Sequence, residues 1–435
     1  MNRQYVAKST SFVTAAIFLL SCMTSTVSAF FPINIFQPYD QNTYRQYRWK
    51  DLKFATGLTG EFGYHTVGRS EVTTSDDRTK SSSETDVLQI WECEQNALAM
   101  LKGLPSSTNL GSFAQLANID DDDGVRGHIV LTGDLSMQAN VPFHFRWYLP
   151  HGFIFGAYLP VLSMKLDDIS IIDRTQSITA EDLLVKSVLT NNIVANVRAL
   201  TGIKLCGWEQ VGIGDLSFMM DWQRNYPQAK ELLKNVRPRL RVGLTLPTGK
   251  KTDEDELLSV PFGNDGSFGV VFGGGLDLTL GYKLKVGADA EFLNLFNNMR
   301  ERRIKTYNTQ TEHLFPVKVG VLKDYGFTER FNLYLEFFEV VKGLTLRGTY
   351  QYYQHHEDEL KVIGNQYSSI IANTSQRFEE WTMHNVILNL NYDFRHIVSD
   401  DSWFKPYIAF FYKKGTNGKN CVLTDTFGFT FSLSF

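Results

Sequence analysis

Charged side chains of both signs occur at alternate positions in several otherwise apolar segments of this chain. Such alternation places successive side chains on opposite faces of a β-strand. If these faces meet in a narrow interior, the charges must be paired or hydrated. We therefore predict either a paired network across the interior or a water-lined path for small solutes. The candidate residues are Asp215, Asp221, Arg239, Arg241, Asp277, Lys285, Asp289, Glu291 and Arg347.

The sequence shows no motif for a catalytic centre. His144 occupies a polar position of its segment without a neighbouring serine, and the chain contains no G-x-S-x-G sequence. We predict that the protein is not an enzyme and needs no cofactor. A lipid-modifying enzyme is kept as the third and least favoured function.

Two acidic runs could bind metal. Four aspartates at 120–123 precede Gly124, but taking this glycine as the turn glycine of an EF-hand loop puts Ile119 first and Val130 twelfth. Both positions require a carboxylate. The run at 355–359 lies where a strand meets a loop. We predict solvated acidic loops and no metal site.

The last nine residues predict how the chain ends. Residues 427–435 carry Phe or Leu at odd positions and Gly, Thr or Ser at even positions. This alternation is typical of a strand whose outer face meets hydrocarbon. With the terminal Phe435, it resembles the C-terminal signature of Gram-negative outer-membrane proteins. The resemblance implies recognition of Phe435 by the barrel-assembly machinery.

The start of the chain predicts export. A basic region with Arg3 and Lys8 precedes a short apolar stretch at 12–20, and an A-x-A-like site ends at Ala29. We predict a signal peptide over residues 1–29 and a periplasmic segment over 30–50. Acylation of Cys22 is the alternative to cleavage after Ala29.

Composition excludes several classes of protein. Hydrophobic residues make up 43% of the chain, and mean hydropathy is −0.19. Beyond the signal peptide, no apolar stretch approaches the roughly 18 residues of a membrane helix. The formal net charge of −4 gives no reason to expect a nucleic-acid partner. The expected partners are outer-membrane lipid, lipopolysaccharide and a small-molecule solute.

Residues 51–435 predict an all-β fold, a transmembrane antiparallel barrel of about twelve strands. Twelve strands require 315–325 to cross the membrane and 331–354 to form one bulged strand. If 331–354 splits, or if the apolar patch near Val87 joins the wall, fourteen is the alternative. The long outer connections are predicted at 67–126, 167–207, 249–266, 297–314 and 355–380.

The 167–207 connection carries a helical pattern. Thr179 and Asp182 have the spacing of a capping box. Apolar residues then recur at helical spacing. This helix either packs over the barrel rim or plugs the lumen, and both alternatives stay open. Its apolar positions are Leu189, Ile193, Val197 and Leu200.

Two features could interrupt the barrel wall. Pro142 has no amide hydrogen to donate within its strand. Three glycines, Gly273, Gly274 and Gly275, lie in the middle of another strand, where glycine weakens pairing or marks a bend. Each feature is read either as an ordinary bulge or as a break that lets an apolar solute leave sideways. We expect no inward patch apolar enough to form a hydrophobic pocket.

Residues 212–250 carry a more specific pattern. Gly212-Ile213-Gly214-Asp215-Leu216 begins a strand, and 238–250 reads PRLRVGLTLPTGK. This pairing resembles the outer-membrane family linked to the meta pathway of phenol degradation, within the wider group of long-chain fatty-acid transporter barrels. The resemblance implies passage of hydrophobic compounds. It assigns no ligand-binding residue.

The sequence therefore predicts a channel in the cell outer membrane for passive passage of small solutes, hydrophobic ones among them. The alternative is a non-conducting structural or surface-interaction barrel whose long loops do the work.

Overall fold

A computed structural model describes residues 53–73, 80–104, 106, 109–116, 119, 124–394, 397 and 405–435. The predicted signal peptide (1–29), the segment 30–50 and the aspartates at 120–123 lie outside these residues.

Twelve antiparallel strands of the described chain close into a barrel. Each strand pairs with its neighbours, and the first strand pairs with both the second and the last. The wall strands are β1 (Phe54–Thr73), β2 (His128–Tyr148), β3 (Phe153–Asp173), β4 (Leu216–Gln223), β5 (Leu233–Leu246), β6 (Gly269–Leu280), β7 (Leu284–Leu295), β8 (Thr328–Phe337), β9 (Leu344–His355), β10 (Trp381–Asp393), β11 (Lys405–Lys419) and β12 (Cys421–Ser434).

The number of strands is as predicted, but two of them are not. Residues 331–354 form two strands, because the chain turns between Phe337 and Leu344, with Glu339 (φ 52°) and Gly343 (φ 81°) in the left-handed region. Apolar residues lie at odd positions up to Phe337 and at even positions from Leu344 onward. This shift marks a turn and not a bulge. The predicted strand at 315–325 leaves the wall, so the count stays at twelve.

The remaining elements lie among the long connections. Strands Asn298–Ile304, Val317–Asp324 and Glu359–Val362 form a separate three-stranded sheet. Short strands Lys80–Thr85, Gln95–Asn96, Trp208–Ile213 and Tyr226–Pro227 extend the wall. The helices are α1 (Asn109–Leu116), α2 (Ala180–Val185), α3 (Ile193–Thr201) and α4 (Ser369–Ala372). One-turn segments lie at Val87–Gln89, Ala99–Leu101, Pro150–Gly152, Lys186–Thr190 and Gln376–Phe378.

The connections differ in length at the two ends of the barrel. Those at 150–152, 281–283 and 338–343 are short turns, whereas the connections that carry the separate sheet and the helices are long. Outer-membrane barrels have short periplasmic turns and longer extracellular loops. We call the short-turn end the lower end and the long-loop end the upper end.

A band of exposed apolar side chains surrounds the lower part of the barrel. On β12, Phe427, Phe429 and Phe431 point outward, while Thr430 and Ser432 are buried inside. At the top of this band the hydroxyls of Tyr64 and Tyr412 lie 3.0 Å apart. Eleven of the twelve wall strands have ten or more residues, which matches the length needed to cross hydrocarbon, and β4 has eight. In the described part of the chain, no helix is long and apolar enough to cross a membrane.

A bulge divides β2 into two halves with opposite facing. Between Met137 and Ala139 the register with β3 shifts by one residue, and Gln138 is the extra residue. Since facing alternates along a strand, one inserted residue exchanges inner and outer positions. Apolar residues at odd positions from 129 to 149 would predict one continuous apolar face, and the structure shows that this prediction is wrong. Ile129, Leu131, Leu135 and Met137 point inward and are buried.

Deleting Gln138 should destabilise the barrel, because the deletion turns these four buried side chains toward solvent. Each would lose roughly 1.5–3 kcal/mol of burial. We expect the unfolding temperature of the deletion variant, measured by heating samples in detergent before gel electrophoresis, to be much lower than that of the native protein. Gln138→Ala keeps the bulge and is the control. Equal stability of the deletion and Gln138→Ala would contradict the role of the bulge.

Candidate functional site

Charged side chains from β4, β5, β7 and β8 meet inside the lower barrel. Arg241 on β5 donates through Nε to Asp221 on β4 (2.5 Å) and through Nη1 to Glu291 on β7 (3.1 Å). Arg330 on β8 lies 2.9 Å from the other oxygen of Glu291. One carboxylate therefore holds two guanidinium groups, and the contacts extend across β4, β5, β7 and β8.

A second set of contacts lies beside the first. Asp277 on β6 accepts from Nε of Arg237 (2.7 Å) and from the hydroxyl of Tyr334, and it pairs with Arg239 at 3.3 Å. Arg239 also reaches Asp289 at 3.2 Å. Bidentate and charge-assisted contacts of this kind are among the stronger hydrogen bonds in proteins. We call the two sets together the floor network: Asp221, Arg237, Arg239, Arg241, Asp277, Asp289, Glu291, Arg330 and Tyr334.

The other predicted interior residues lie near this network or apart from it. Lys285 pairs with Glu336 on β8. The guanidinium of Arg347 lies 3.9 Å from the centre of the Tyr334 ring. Asp215 lies elsewhere, beneath the 249–266 connection, where it accepts from the backbone amides of Gly249 (2.8 Å) and Asn264 (2.6 Å).

The lower barrel is filled by these side chains. Asp277, Asp289, Glu291, Arg241 and Arg330 are all buried, and Asp277 has no exposed surface. A group lining a wide aqueous pore would be exposed to water. Of the two alternatives for the charged residues, this arrangement favours the paired network.

The glycines of β6 make room for the network. Both ladders of β6 run without a register shift through Gly273, Gly274 and Gly275, so no gap between strands opens there. A Cβ at Gly275 would lie 2.8 Å from Nη2 of Arg239. A side chain at 275 would displace this arginine.

The sequence did not identify Arg330, Tyr334 and Glu336 as interior residues. A signal was present, because these side chains alternate with apolar residues along β8. It was missed because residues 331–354 were treated as one strand. Arg237 was missed because β5 begins earlier than its apolar alternation, which starts near Leu240.

The upper barrel has a different interior. Inward residues of β2 and β3 form one hydrophobic cluster with the connections above them. The sequence analysis did not anticipate this packed inward cluster, which forms because the bulge at Gln138 turns apolar residues inward. From the wall the cluster includes Ile129, Leu131, Leu135, Met137, Leu162, Met164 and Leu166, and from the connections it includes Leu88, Ile90, Leu98, Leu257 and Phe262.

The helices of the 167–207 connection close the top of this cluster. Thr179 and Asp182 make both contacts of the predicted capping box, and Gly202 ends α3 in a left-handed conformation. The predicted apolar positions Leu189, Ile193, Val197 and Leu200 all pack into the cluster. The helices lie above the floor network as a cover, while charged side chains fill the lumen below.

The wall is not continuously paired where β1 meets β2. The ladder joins residues 54–58 of β1 to 143–147 of β2, stops at Pro142 and has one further pair, Glu61 with Asn140. Above Glu61, β1 pairs with β12 and with the strand Lys80–Thr85. We call this stretch, in which β1 and β2 lack ladder pairs, the seam; the two strands stay in contact there, since a Cβ at Gly63 would lie 3.1 Å from the carbonyl oxygen of Met137. It begins near the top of the apolar band, since Tyr64 lies three residues beyond Glu61.

A short stretch of chain fills the upper seam. Residues 86–90, which we call the strap, lie between β1 and β2. Leu88 and Ile90 are buried in the apolar cluster. A Cβ at Gly68 of β1 would lie 2.7 Å from Cγ1 of Ile90, and one at Gly133 of β2 would lie 3.2 Å from Cδ1 of Leu88. The strap therefore contacts both sides of the seam.

The connections above the strap are tied together by buried carboxylates. Glu312 accepts from Ser375 Oγ (2.8 Å) and Arg377 Nε (2.9 Å), and its amide donates to Glu92 (2.9 Å). Burial, with a smaller contribution from Glu312, raises the pKa of Glu92 to about 7. Burial lowers the pKa of His313 to about 3. This neutral ring lies 3.0 Å from the carbonyl of Leu88, to which Nε2–H donates.

The acidic run at 355–359 is partly buried, contrary to the prediction of a solvated loop. Asp358 contacts Lys323 Nζ at 2.7 Å and His355 Nε2 at 3.1 Å, and none of its side-chain surface is exposed. It also accepts from the amide of Gly326. This carboxylate fixes the separate sheet to the end of β9. Among the described residues, no group of three or more His, Cys, Asp or Glu side chains could hold a metal ion.

A cavity of about 90 Å³ lies among the upper connections, beside Trp91, Glu312, Phe315 and Arg377. An enclosed cavity of about 150 Å³ holds benzene. The cavity is therefore large enough for several water molecules but too small for an aromatic ring. We place no solute site there.

A comparison with solved structures finds outer-membrane barrels. An outer-membrane channel from Pseudomonas putida F1 has a TM-score of 0.47 at 10% identity, covering 90% of this chain and all of that one. The toluene transporter TbuX of Ralstonia pickettii has a TM-score of 0.31 at 10% identity, covering 94% and 95%. No protein-family model and no curated protein matches the chain. At these identities and TM-scores, likeness transfers no function.

Docking of the upper connections should depend on pH. Because the folded pKa of Glu92 is raised, folding favours its protonated form. This contribution is complete below the unfolded pKa near 4.5 and is lost as pH rises through about 7. We expect hydrogen exchange of residues 86–104, corrected for intrinsic rates, to be faster at pH 8 than at pH 6. Glu92→Gln should remove the difference, and an unchanged difference in this variant would refute the assignment.

Breaking the floor network should cost far more stability than breaking an exposed ion pair. Glu291→Ala leaves the buried guanidinium groups of Arg241 and Arg330 without their shared carboxylate. Removing one partner of a buried ion pair typically lowers the free energy of unfolding by about 3–5 kcal/mol. Glu84→Ala removes the partner of Arg69 at the surface, where about 0–1 kcal/mol is typical. Thermal unfolding of the two variants in detergent measures the difference. Similar losses would show that the floor network is not a tight unit.

Proposed function

We propose that this protein is an outer-membrane channel for passive passage of small apolar solutes, with the seam as a side route between the barrel interior and the membrane. The single observation that carries the proposal is the unpaired seam between β1 and β2, at the top of the apolar band and beside the apolar upper interior.

The division of the interior supports a side route. An apolar solute that enters the upper barrel contacts Leu88, Leu131 and Met137, which replace water at its surface. To continue downward it would have to separate buried ion pairs such as Arg241 with Glu291. Removing a partner from a buried charge is strongly unfavourable. The direction with the lowest barrier is through the wall.

The backbone near the seam also has fewer hydrogen-bond donors than an ordinary strand. Unsatisfied backbone amides and carbonyls are not tolerated in hydrocarbon. Pro142 has no amide hydrogen, and Pro160 stands opposite it on β3, so this part of the wall has fewer donors to satisfy. The wall can therefore lack ladder contacts here at a lower cost than at other positions.

The class of solute is part of the proposal. The resemblance of residues 212–250 to the family linked to phenol degradation suggests small aromatic compounds. A non-conducting structural barrel is the second candidate, because the filled lower barrel would serve that role equally well. The seam distinguishes the two, since a structural barrel has no need of an interrupted wall.

Transfer of an apolar dye tests the proposal. Vesicles with an outer leaflet of lipopolysaccharide resist apolar compounds, and N-phenylnaphthylamine fluoresces when it reaches phospholipid. We expect vesicles that contain the protein to take up the dye several-fold faster than empty vesicles. Uptake of a small sugar should not increase, because the floor network fills the lumen.

Two results would contradict the proposal. Dye uptake equal to that of empty vesicles would favour the structural barrel. Uptake of sugar as fast as dye would show a water-filled pore. The Glu84→Ala variant, which changes only an exposed ion pair, controls for disturbance of the leaflet by any folded variant.

A further inference from the structure

We propose that an open groove beside the top of β3 binds a small organic cation with an apolar body, such as an aromatic ammonium ion. The groove has a volume of about 730 Å³ and lies between residues 165–173 of β3, residues 190–194 at the start of α3, and residues 205–209. Sites for small molecules have volumes of roughly 300–1,000 Å³. The inference goes beyond the proposed function and does not rest on it, since binding here needs no passage through the wall.

The floor of the groove is apolar. Leu166, Ile193, Leu205 and Trp208 line the groove and also belong to the apolar cluster of the upper barrel. A ligand that lies on this floor covers apolar surface and releases the water there. The floor therefore favours a ligand with an apolar body.

The walls of the groove are fixed to one another. The hydroxyl of Thr190 donates to Asp173 on β3, at 2.8 Å, and connects the helical segment to the strand. The indole N–H of Trp208 donates to the carbonyl of Leu257, at 2.7 Å, and holds the ring in place. A site that is already formed loses less binding free energy to ordering of its side chains.

The rim of the groove is acidic. It carries the carboxylates of Asp167, Asp168, Asp173 and Glu209 and a single ammonium group, that of Lys165, which pairs with Asp167. Asp168 and Glu209 are exposed, and neither has a hydrogen-bond or ion-pair partner among the described residues. Two carboxylates are therefore available to a positively charged ligand.

The start of α3 has the opposite electrostatic effect. Asn192 begins this helix without a side-chain cap, and a helix N-terminus acts as about half a positive charge. Four carboxylates against one ammonium group outweigh this partial charge. The groove therefore favours a cation over an anion.

The spacing of the carboxylates favours an organic cation over a metal ion. Calcium takes roughly six to eight oxygen ligands around one point. In the part of the chain that the structure describes, no group of three or more His, Cys, Asp or Glu side chains converges in this way. An organic cation needs no such convergence, because its apolar body lies on the floor while separate carboxylates face its charge.

The groove opens just above the membrane. Val211 and Ile213 follow Glu209 toward the lower end on the same face of the strand Trp208–Ile213, and both are exposed. They continue the apolar band, so Glu209 marks the height at which this band ends. A ligand at the lipid surface can reach the groove from the side.

Three probes with the same ring test the class of ligand. Binding of benzyltrimethylammonium, benzyl alcohol and phenylacetate to the full chain in phosphatidylcholine vesicles is measured by equilibrium dialysis against empty vesicles. We expect the cation to bind several-fold more tightly than the neutral alcohol, and phenylacetate to bind most weakly. Added salt should weaken binding of the cation, because exposed charges are screened.

The native cysteines test the location. Cys206 lines the groove, Cys93 is exposed elsewhere, and Cys421 is buried. Alkylation of Cys93→Ser with N-phenylmaleimide places a bulky group on Cys206 and should abolish binding of benzyltrimethylammonium. The same treatment of Cys206→Ser modifies Cys93 and should leave binding unchanged, which makes it the matched control.

A pair of double variants tests the rim. Asp168→Asn with Glu209→Gln should weaken binding of benzyltrimethylammonium several-fold. Glu231→Gln with Glu339→Gln removes two exposed carboxylates at the lower end and should leave binding unchanged.

Four results would overturn the inference. They are equal binding of the cation and benzyl alcohol, stronger binding of phenylacetate, binding that persists after alkylation of Cys206, and displacement of the cation by Mg²⁺ at constant ionic strength. None of these measurements follows transport. Failure of the side route would therefore leave the groove unaffected, and failure of the groove would leave the side route to the dye experiment.

Discussion

Arg241 joins β4 to β7 across β5 and β6 and holds the carboxylates that fill the lower barrel. Buried charges of this kind are tolerated only where each has a partner, so neighbouring strands must keep their register for the network to exist. The network closes the lower lumen to apolar solutes. The features above it, the apolar cluster and the interrupted wall, have a functional meaning because of this closed floor.

The barrel combines two kinds of interior in one wall. Below, glycines such as Gly275 leave room for long charged side chains. Above, the bulge at Gln138 turns the apolar side of β2 inward, and the helices α2 and α3 cover the cluster that results. A single inserted residue thus separates a polar lower half from an apolar upper half. The seam begins near the height at which the two meet.

Alternation along the strands was enough to predict the barrel, but the number of strands agreed only because two errors offset each other: 331–354 forms two strands and 315–325 leaves the wall. Alternation gives the facing of residues within a strand but not the points at which facing changes. The bulge at Gln138 and the turn before Leu344 could therefore not be placed, and the apolar upper interior was missed. The strap was missed for another reason: Asp86 and Gln89 act on residues more than 40 positions away, and local patterns do not record such contacts.

The paired floor is the central claim, and single-channel conductance in planar bilayers tests it most directly. A barrel with its lower lumen filled by paired side chains should show no steady ion current at moderate voltage. Arg241→Ala with Glu291→Ala, which removes a cation and an anion together, should introduce current by opening space in the floor. Steady current through the native protein, of the size expected for a water-filled porin, would contradict the account.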